Sequence, residues 1–309
     1  MLHRLENAEA GIHGHSIEFI LTALKALKES GAKFVSLRTL VAAWRSSAKI
    51  DPDWVAFTID DGFADQAYMV NEAFVPMQCP VTIFLISDFL DRRCWPWDDQ
   101  LAFVFRTTKT SVPEVHVGEQ RFDVRFSTLR DRAVSLDRVR DYCKIQRALN
   151  PYEVAQKLAT QLGVELPQQP PEAYRAISWD AARALERTGL VEFGPHSVTH
   201  RIVATLSESE VRNELSMSWK RLRDELNAPL AIFAWPTGRS GDFEAKDIAI
   251  AQELGLQASV SSQAGYAYRR PVEPWQTLYQ LPRFSFPNEV STVLRYASWL
   301  ERGRELIPV

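Results

Sequence analysis

Two short stretches carry side chains whose chemistry is best explained together. In Thr58-Ile59-Asp60-Asp61-Gly62-Phe63-Ala64-Asp65, two adjacent carboxylates stand at the end of an apolar run, Val55-Ala56-Phe57-Thr58-Ile59, that reads as a short buried strand. Neighbouring ionised carboxylates repel unless something cationic lies between them, and a divalent metal is the commonest remedy; the plainer alternative is a capped, solvated turn. In His196-Ser197-Val198-Thr199-His200, two of the chain's six histidines lie four apart. If that segment turns helically, both imidazoles face one ion; a solvated helical pair is the alternative. Before it come an apolar strand candidate, Leu190-Val191-Glu192-Phe193, and a Gly194-Pro195 break. Two imidazoles and one carboxylate leave positions on an ion open for water, as catalytic zinc sites require.

Such a site needs several strands ending at one place, and the chain is long enough to supply them. Its 309 residues can bury one large core, and 46% hydrophobic with 24% charged residues is an ordinary globular balance. A formal charge of −3 offers no broad basic field for nucleic acid or acidic membranes. Cys79, Cys94 and Cys143 are odd in number and lack metal-type spacing, which argues against a disulfide framework. Polar residues follow Met1-Leu2-His3-Arg4-Leu5 where a secretory leader needs an apolar stretch, and no run approaches the roughly 18 apolar residues of a membrane span. The expectation is a cytoplasmic protein without a transmembrane segment, of open oligomeric state.

Short apolar runs alternate with helical periodicity. Ile17, Ile20, Leu21, Leu24 and Leu27 predict a helix capped by Ser16 and stopped at Gly31. A strand at 34–37, a helix over Leu40–Trp44, a helix over Gln66–Phe74 with Asp65 as its cap, and a strand over Val81–Ile86 follow. Between about 88 and 177 the alternation fails, which predicts an inserted subdomain over one end of the core. There Trp95 and Trp97 are either sugar-stacking rings or packing anchors, and His116 is read as a surface residue. Ser178 opens a helix ending near Gly189, and Ser207-Glu208-Ser209-Glu210 is a capping box with Leu206 and Val211 as its staple. Strands at 230–233 and 258–260, a helix over Asp247–Leu254, a closing strand at 281–286 and a last helix over about 290–301 complete the pattern. His13 and His15 belong to a solvated loop, and Trp44, Trp219 and Trp299 to helix faces in the core. Seven or eight parallel strand candidates suit a closed α/β barrel whose chemistry gathers at the C-terminal strand ends.

Thr58-Ile59-Asp60-Asp61-Gly62 and His196-Ser197-Val198-Thr199-His200 resemble the first two motifs of the polysaccharide deacetylase family, the NodB-like carbohydrate esterases. Phe233-Ala234-Trp235-Pro236-Thr237-Gly238 is similar to the third motif in the form found in exopolysaccharide deacetylases. The resemblance runs from about Leu2 to Phe286 around the insertion. It implies a distorted (β/α)7 TIM-like barrel and metal-dependent removal of N-acetyl groups from an amino sugar, in a polysaccharide or its lipid- or nucleotide-linked precursor. Asp61, His196 and His200 would hold a divalent metal, Zn2+ or else Co2+, Ni2+ or Mn2+. Asp60 would be the general base, and the backbone N–H of Thr237 would face the oxyanion.

Three departures from the family pattern stand out. No histidine follows His200, so the usual late acid is missing; in exopolysaccharide deacetylases the acid histidine lies on the first strand, which maps onto His3. Ala234 stands where many relatives carry an arginine that orients the catalytic aspartate, and Arg283 in Leu-Pro-Arg-Phe is the candidate replacement, a surface arginine being the alternative. The Asp-x-x-Asp-Trp motif is absent. Two other readings therefore stay open: a same-fold amidase acting on a small non-sugar amide, and a non-catalytic glycan-binding protein.

Overall fold

The computed structural model describes residues 1–147, 149–268 and 277–298. Ser16 Oγ accepts the Phe19 N–H at 3.1 Å and opens α1 (Ile17–Glu29), whose Ile20, Leu24 and Leu27 face the core. Strand β1 (Lys33–Phe34) is shorter than the sequence predicts, because Ser36 already caps α2 (Leu37–Arg45). The apolar run before the two aspartates divides at Ala56 into β2 (Trp54–Val55) and β3 (Phe57–Asp61). Next come α3 (Ala64–Met69), a π-helical turn over Val70–Phe74, β4 (Val81–Leu85) and the single turn α4 (Ser87–Leu90). Phe63, not Asp65, is the N-cap of α3; Asp65 instead pairs with Arg4 and accepts the Leu5 N–H, tying the first residues of the chain to this corner.

The stretch between β4 and the next core strand holds α5 (Trp97–Thr107), an antiparallel hairpin of β5 (Glu114–Val117) and β6 (Gln120–Asp123), α6 (Leu129–Ile145) and α7 (Pro151–Gln161). These elements bury an apolar cluster of their own, with Trp97, Leu101, Phe105, Val115, Val139 and Leu158 at its centre. Trp95 and Trp97 are 1% and 2% exposed, so both are packing anchors and neither presents a face to a sugar.

Regular α/β order resumes with α8 (Trp179–Glu186), capped by Ser178, and β7 (Val191–Pro195). The expected break at Gly194-Pro195 lies inside this strand. Gly194 is required there: a Cβ would meet Ile232 O and a Phe84 ring carbon, both at 2.7 Å. The capping box forms as the sequence predicts and starts α9 (Glu208–Glu225). Strand β8 (Ile232–Ala234), α10 (Ala245–Glu253), β9 (Ala258–Val260) and α11 (Val290–Ala297) follow; the end of the helix expected over 290–301, with Trp299, lies outside the described residues.

Strands β3, β4 and β7 form a parallel sheet in the order β3-β4-β7, whose register aligns Asp61 with Leu85 and Leu85 with Pro195. Leu2 bridges to Ile59 on the free side of β3, and the Leu230 N–H reaches Phe193 O of β7 at 2.7 Å. Strands β8 and β9 pair in parallel, and Leu281 bridges to Val260. The closed seven-stranded barrel expected from the sequence is not found as a sheet among the described residues. Strands β8 and β9 are three residues long, and the expected closing strand forms a β-bridge at Leu281 alone among the described residues: beyond it the Ser261 carbonyl is taken by the Arg283 Nε, and the Arg283 N–H goes to Gln263 O instead. What survives of the expectation is a mixed α/β core whose parallel strands end on one side. No helix of the described residues is long and apolar enough to cross a membrane.

Candidate metal centre and active site

Because Asp61 and Pro195 occupy the same level of the sheet, the residue after Pro195 emerges beside the aspartates. That residue is His196, 2% exposed. Its Nδ1 lies 2.8 Å from Ala234 O. A carbonyl can only accept, so Nδ1 carries the proton and Nε2 keeps its lone pair for the cleft. Asp61 Oδ1 is 3.5 Å from His196 Nε2 and 3.5 Å from His200 Nε2. At that length these are charge contacts rather than hydrogen bonds of ordinary geometry, and Asp61 Oδ1, though buried, has no hydrogen-bond partner among the described residues. Three ligand atoms within 4.8 Å of one another, two imidazole nitrogens and a carboxylate oxygen left unsatisfied, fit a divalent ion of the zinc type.

The two histidines do not meet by helical spacing. Residues 196–200 form a loop, with Ser197 and His200 in the left-handed region at φ 66 and 58. Asp61 is left-handed too, at φ 89, and so is Thr237, at φ 61. Each such non-glycine residue costs about 1–3 kcal/mol, strain that persists only where surroundings over-determine the backbone. At Asp61 the determinant is Gln66, wholly buried, whose amide NH2 donates to Asp60 O at 2.5 Å and His3 O at 2.7 Å while its carbonyl accepts the Gly62 N–H at 3.2 Å.

Asp60 meets a different environment. Arg283 grips it with two hydrogen bonds of 2.7 Å, Nη1 to Oδ1 and Nη2 to Oδ2; Nη1 also donates to Thr58 Oγ1, and the Nε donates to Ser261 O. Both partners are buried, at 3% and 8% exposure, so the surface-arginine alternative fails. Burial alone would raise the Asp60 carboxyl, but the Arg283 charge above all, with His196 beside it, holds it below the ordinary carboxylate value. Asp61 is likewise held low against burial by the two imidazoles. Burial pushes His200 down, whereas the carboxylates outweigh burial at His196 and raise it. His3 Nε2 lies 4.0 Å from Asp60 Oδ2, its side chain about half exposed at the mouth of the cleft.

The structure thus brings together Asp60, Asp61, His196, His200, His3 and Arg283. Thr237 lies in the turn three residues past the end of β8, the strand whose last carbonyl accepts from His196. His13 is exposed, and His15 packs on Phe19 and Phe286; neither joins a metal cluster among the described residues.

The family model for polysaccharide deacetylase matches residues 48–259, which contain Asp60, Asp61, His196 and His200 but neither His3 nor Arg283. The chain belongs to the polysaccharide deacetylase family. No curated protein sequence matches it. Solved structures of deacetylases share its fold at low identity. The Streptococcus pyogenes deacetylase PplD, in complex with acetate, aligns over 96% of each chain with 14% identity and a TM-score of 0.61. A de-N-acetylase from Aggregatibacter actinomycetemcomitans covers 96% of this chain and 97% of its own, with 14% identity and a TM-score of 0.58. IcaB from Ammonifex degensii covers 97% and 94%, with 13% identity and a TM-score of 0.58.

Sequence reasoning missed the residues that hold this deacetylase site in place. Gln66 reads as an ordinary helix residue. Glu214 sits among the buried positions Val211, Leu215, Ser218 and Leu222 of α9, and a charge on that apolar stripe is a legible sign of a buried polar role.

Proposed function

We propose that this deacetylase hydrolyses the N-acetyl group of an amino sugar in a polysaccharide or in its lipid- or nucleotide-linked precursor, with a divalent metal held by Asp61, His196 and His200. The observation that carries the reading is the unsatisfied Asp61 Oδ1 equidistant from two imidazole nitrogens, next to a carboxylate locked by an arginine. When bound there, Zn2+ or a similar ion supplies Lewis acidity and lowers the pKa of water at the site.

The chain's own residues do the rest. Asp60, kept ionised by Arg283, takes a proton from the attacking water as that oxygen bonds to the acetamide carbon. The Thr237 N–H donates to the oxyanion that results. His3, exposed at the cleft mouth and beside Asp60, delivers a proton to the departing nitrogen, so the C–N bond breaks to give acetate and a free amine. The acetate seen with PplD is the acid that such a reaction releases. The ring of contacts from Leu2 through β3, β4, β7, β8 and β9 to Leu281 supports a barrel-derived scaffold, and the separate apolar cluster supports an inserted subdomain within 88–177.

The test is metal content measured together with acetate release from a panel of N-acetylhexosamines, their oligomers and simple acetamides. Stoichiometric metal with acetate released from sugars supports the proposal. Preference for simple amides would favour the small-amide hydrolase, and sugar binding without acetate would favour a glycan-binding protein.

A further inference from the structure

The loop carrying both imidazoles is bonded at almost every backbone group by residues that touch neither ligand nitrogen. The N–H groups of Ser87 and Asp88, at the start of α4, donate to the carbonyls of Ser197 at 3.2 Å and Val198 at 3.1 Å. The Tyr152 hydroxyl donates to Thr199 O at 2.8 Å, and the Trp97 indole N–H to His200 O at 3.1 Å. From the other side Glu214, 6% exposed, accepts the N–H of Val198 at 2.7 Å and of Thr199 at 2.9 Å through Oε2, and the Thr199 hydroxyl at 2.5 Å through Oε1. Trp97 lies on α5 and Tyr152 on α7, within the stretch between β4 and β7 that has its own apolar cluster.

Left-handed turns at Ser197 and His200 are not what these residues adopt unaided, so the direction of both imidazoles depends on those bonds. We infer that Glu214, Tyr152 and Trp97 are positioning residues that set the metal affinity of the Asp61–His196–His200 site, the stretch between β4 and β7 bracing that centre through Tyr152 and Trp97 and α9 through Glu214. The inference rests on reading the triad as a metal site. Tyr152 and Trp97 each fix a carbonyl at or next to His200. Glu214 gathers two amides that would otherwise be buried without an acceptor. Outer partners of metal ligands commonly change affinity by about 10- to 100-fold when removed.

The test uses the full chain stripped of metal, with Zn2+ affinity measured by competition against a chelator, the metal-free thermal midpoint, and amide exchange at Val198 and Thr199. Tyr152→Phe removes one hydroxyl and keeps the ring; it should weaken Zn2+ binding about 10-fold while the metal-free midpoint stays near that of the wild type. Glu214→Gln should weaken it by about 10- to 100-fold and speed exchange at the two amides. If Glu214→Gln does not fold, Tyr152→Phe decides alone. Unchanged affinity in the folded variants would overturn the brace and leave the metal site standing. So would an affinity loss matched by an equal loss of metal-free stability, since the residues would then support only the fold. A wild-type chain that binds no Zn2+ would overturn both.

Discussion

The two sides of the cleft treat neighbouring carboxylates in opposite ways. On one side Asp60 is fully paired, each oxygen taking a 2.7 Å bond from Arg283. On the other Asp61 is turned by a left-handed backbone toward two imidazoles, at distances too long for hydrogen bonds, and its Oδ1 is left unsatisfied. Burying a carboxylate without a partner is costly, so the Asp61 side is incomplete as an electrostatic structure and the Asp60 side is not. The two residues are adjacent in sequence and of one type, and the proposed division into a metal ligand, Asp61, and a general base, Asp60, rests on this difference.

The largest expected effect breaks the Asp61 side. His200→Ala removes one of three ligand atoms, and bound metal should fall well below one per chain with acetate release at background; a fully metallated, active variant would sink the ligand assignment. Asp60→Asn should do the reverse, lowering turnover by about 10²- to 10⁴-fold while metal content stays close to one per chain. Metal analysis and a rate on the same two preparations decide whether the sides are as distinct as their geometry.

Much of this contrast was legible before any coordinates. The strand before Asp60, the capping box at Ser207 and the order of the elements outside 88–177 all follow from local patterns of apolar spacing and cap residues, which act over a few positions. The two motifs name the residues that meet in the cleft because their residue types are specific. What local pattern does not encode is how the loop 196–200 bends: the two imidazoles do come together, but not by helical spacing, since left-handed turns at Ser197 and His200 depend on Glu214, Tyr152 and Trp97, which lie far away in sequence or on other elements. The interrupted pairing beyond Leu281 is hidden for a similar reason, because it depends on the Arg283 side chain taking the Ser261 carbonyl, a contact that no local pattern announces. Arg283 was nameable as a candidate, yet only the fold shows its fork on Asp60.

His3 offers a smaller and sharper test. It stands 4.0 Å from Asp60 and apart from the ligand triad, so His3→Ala should leave metal content intact and lower turnover by about 10²-fold. An unchanged rate would return the proton-donating role to another group, and lost metal would place His3 on the wrong side of the comparison.

The smallest effect comes from a second arginine fork outside the cleft. Asp91 takes bonds from Arg221 at 2.8 and 2.9 Å and from the Trp179 indole at 2.8 Å, joining α4, α8 and α9. It resembles the Asp60 pair in geometry but has no ligand beside it, so Asp91→Asn should leave metal content and rate unchanged and cost only about 1 kcal/mol, Arg221 being a third exposed. Burial would raise the Asp91 carboxyl, but Arg221 and Trp179 hold it below the ordinary value. A carboxylate lowered by folding contributes stability that is complete above its unfolded value near about 3.9 and is lost as pH falls through the lower folded value. The gap between wild type and Asp91→Asn in denaturant midpoint should therefore be constant around neutrality and close below about pH 3. A gap that instead widened in acid would mean that this fork is held by packing rather than charge, and likeness of geometry would then be no guide to likeness of role.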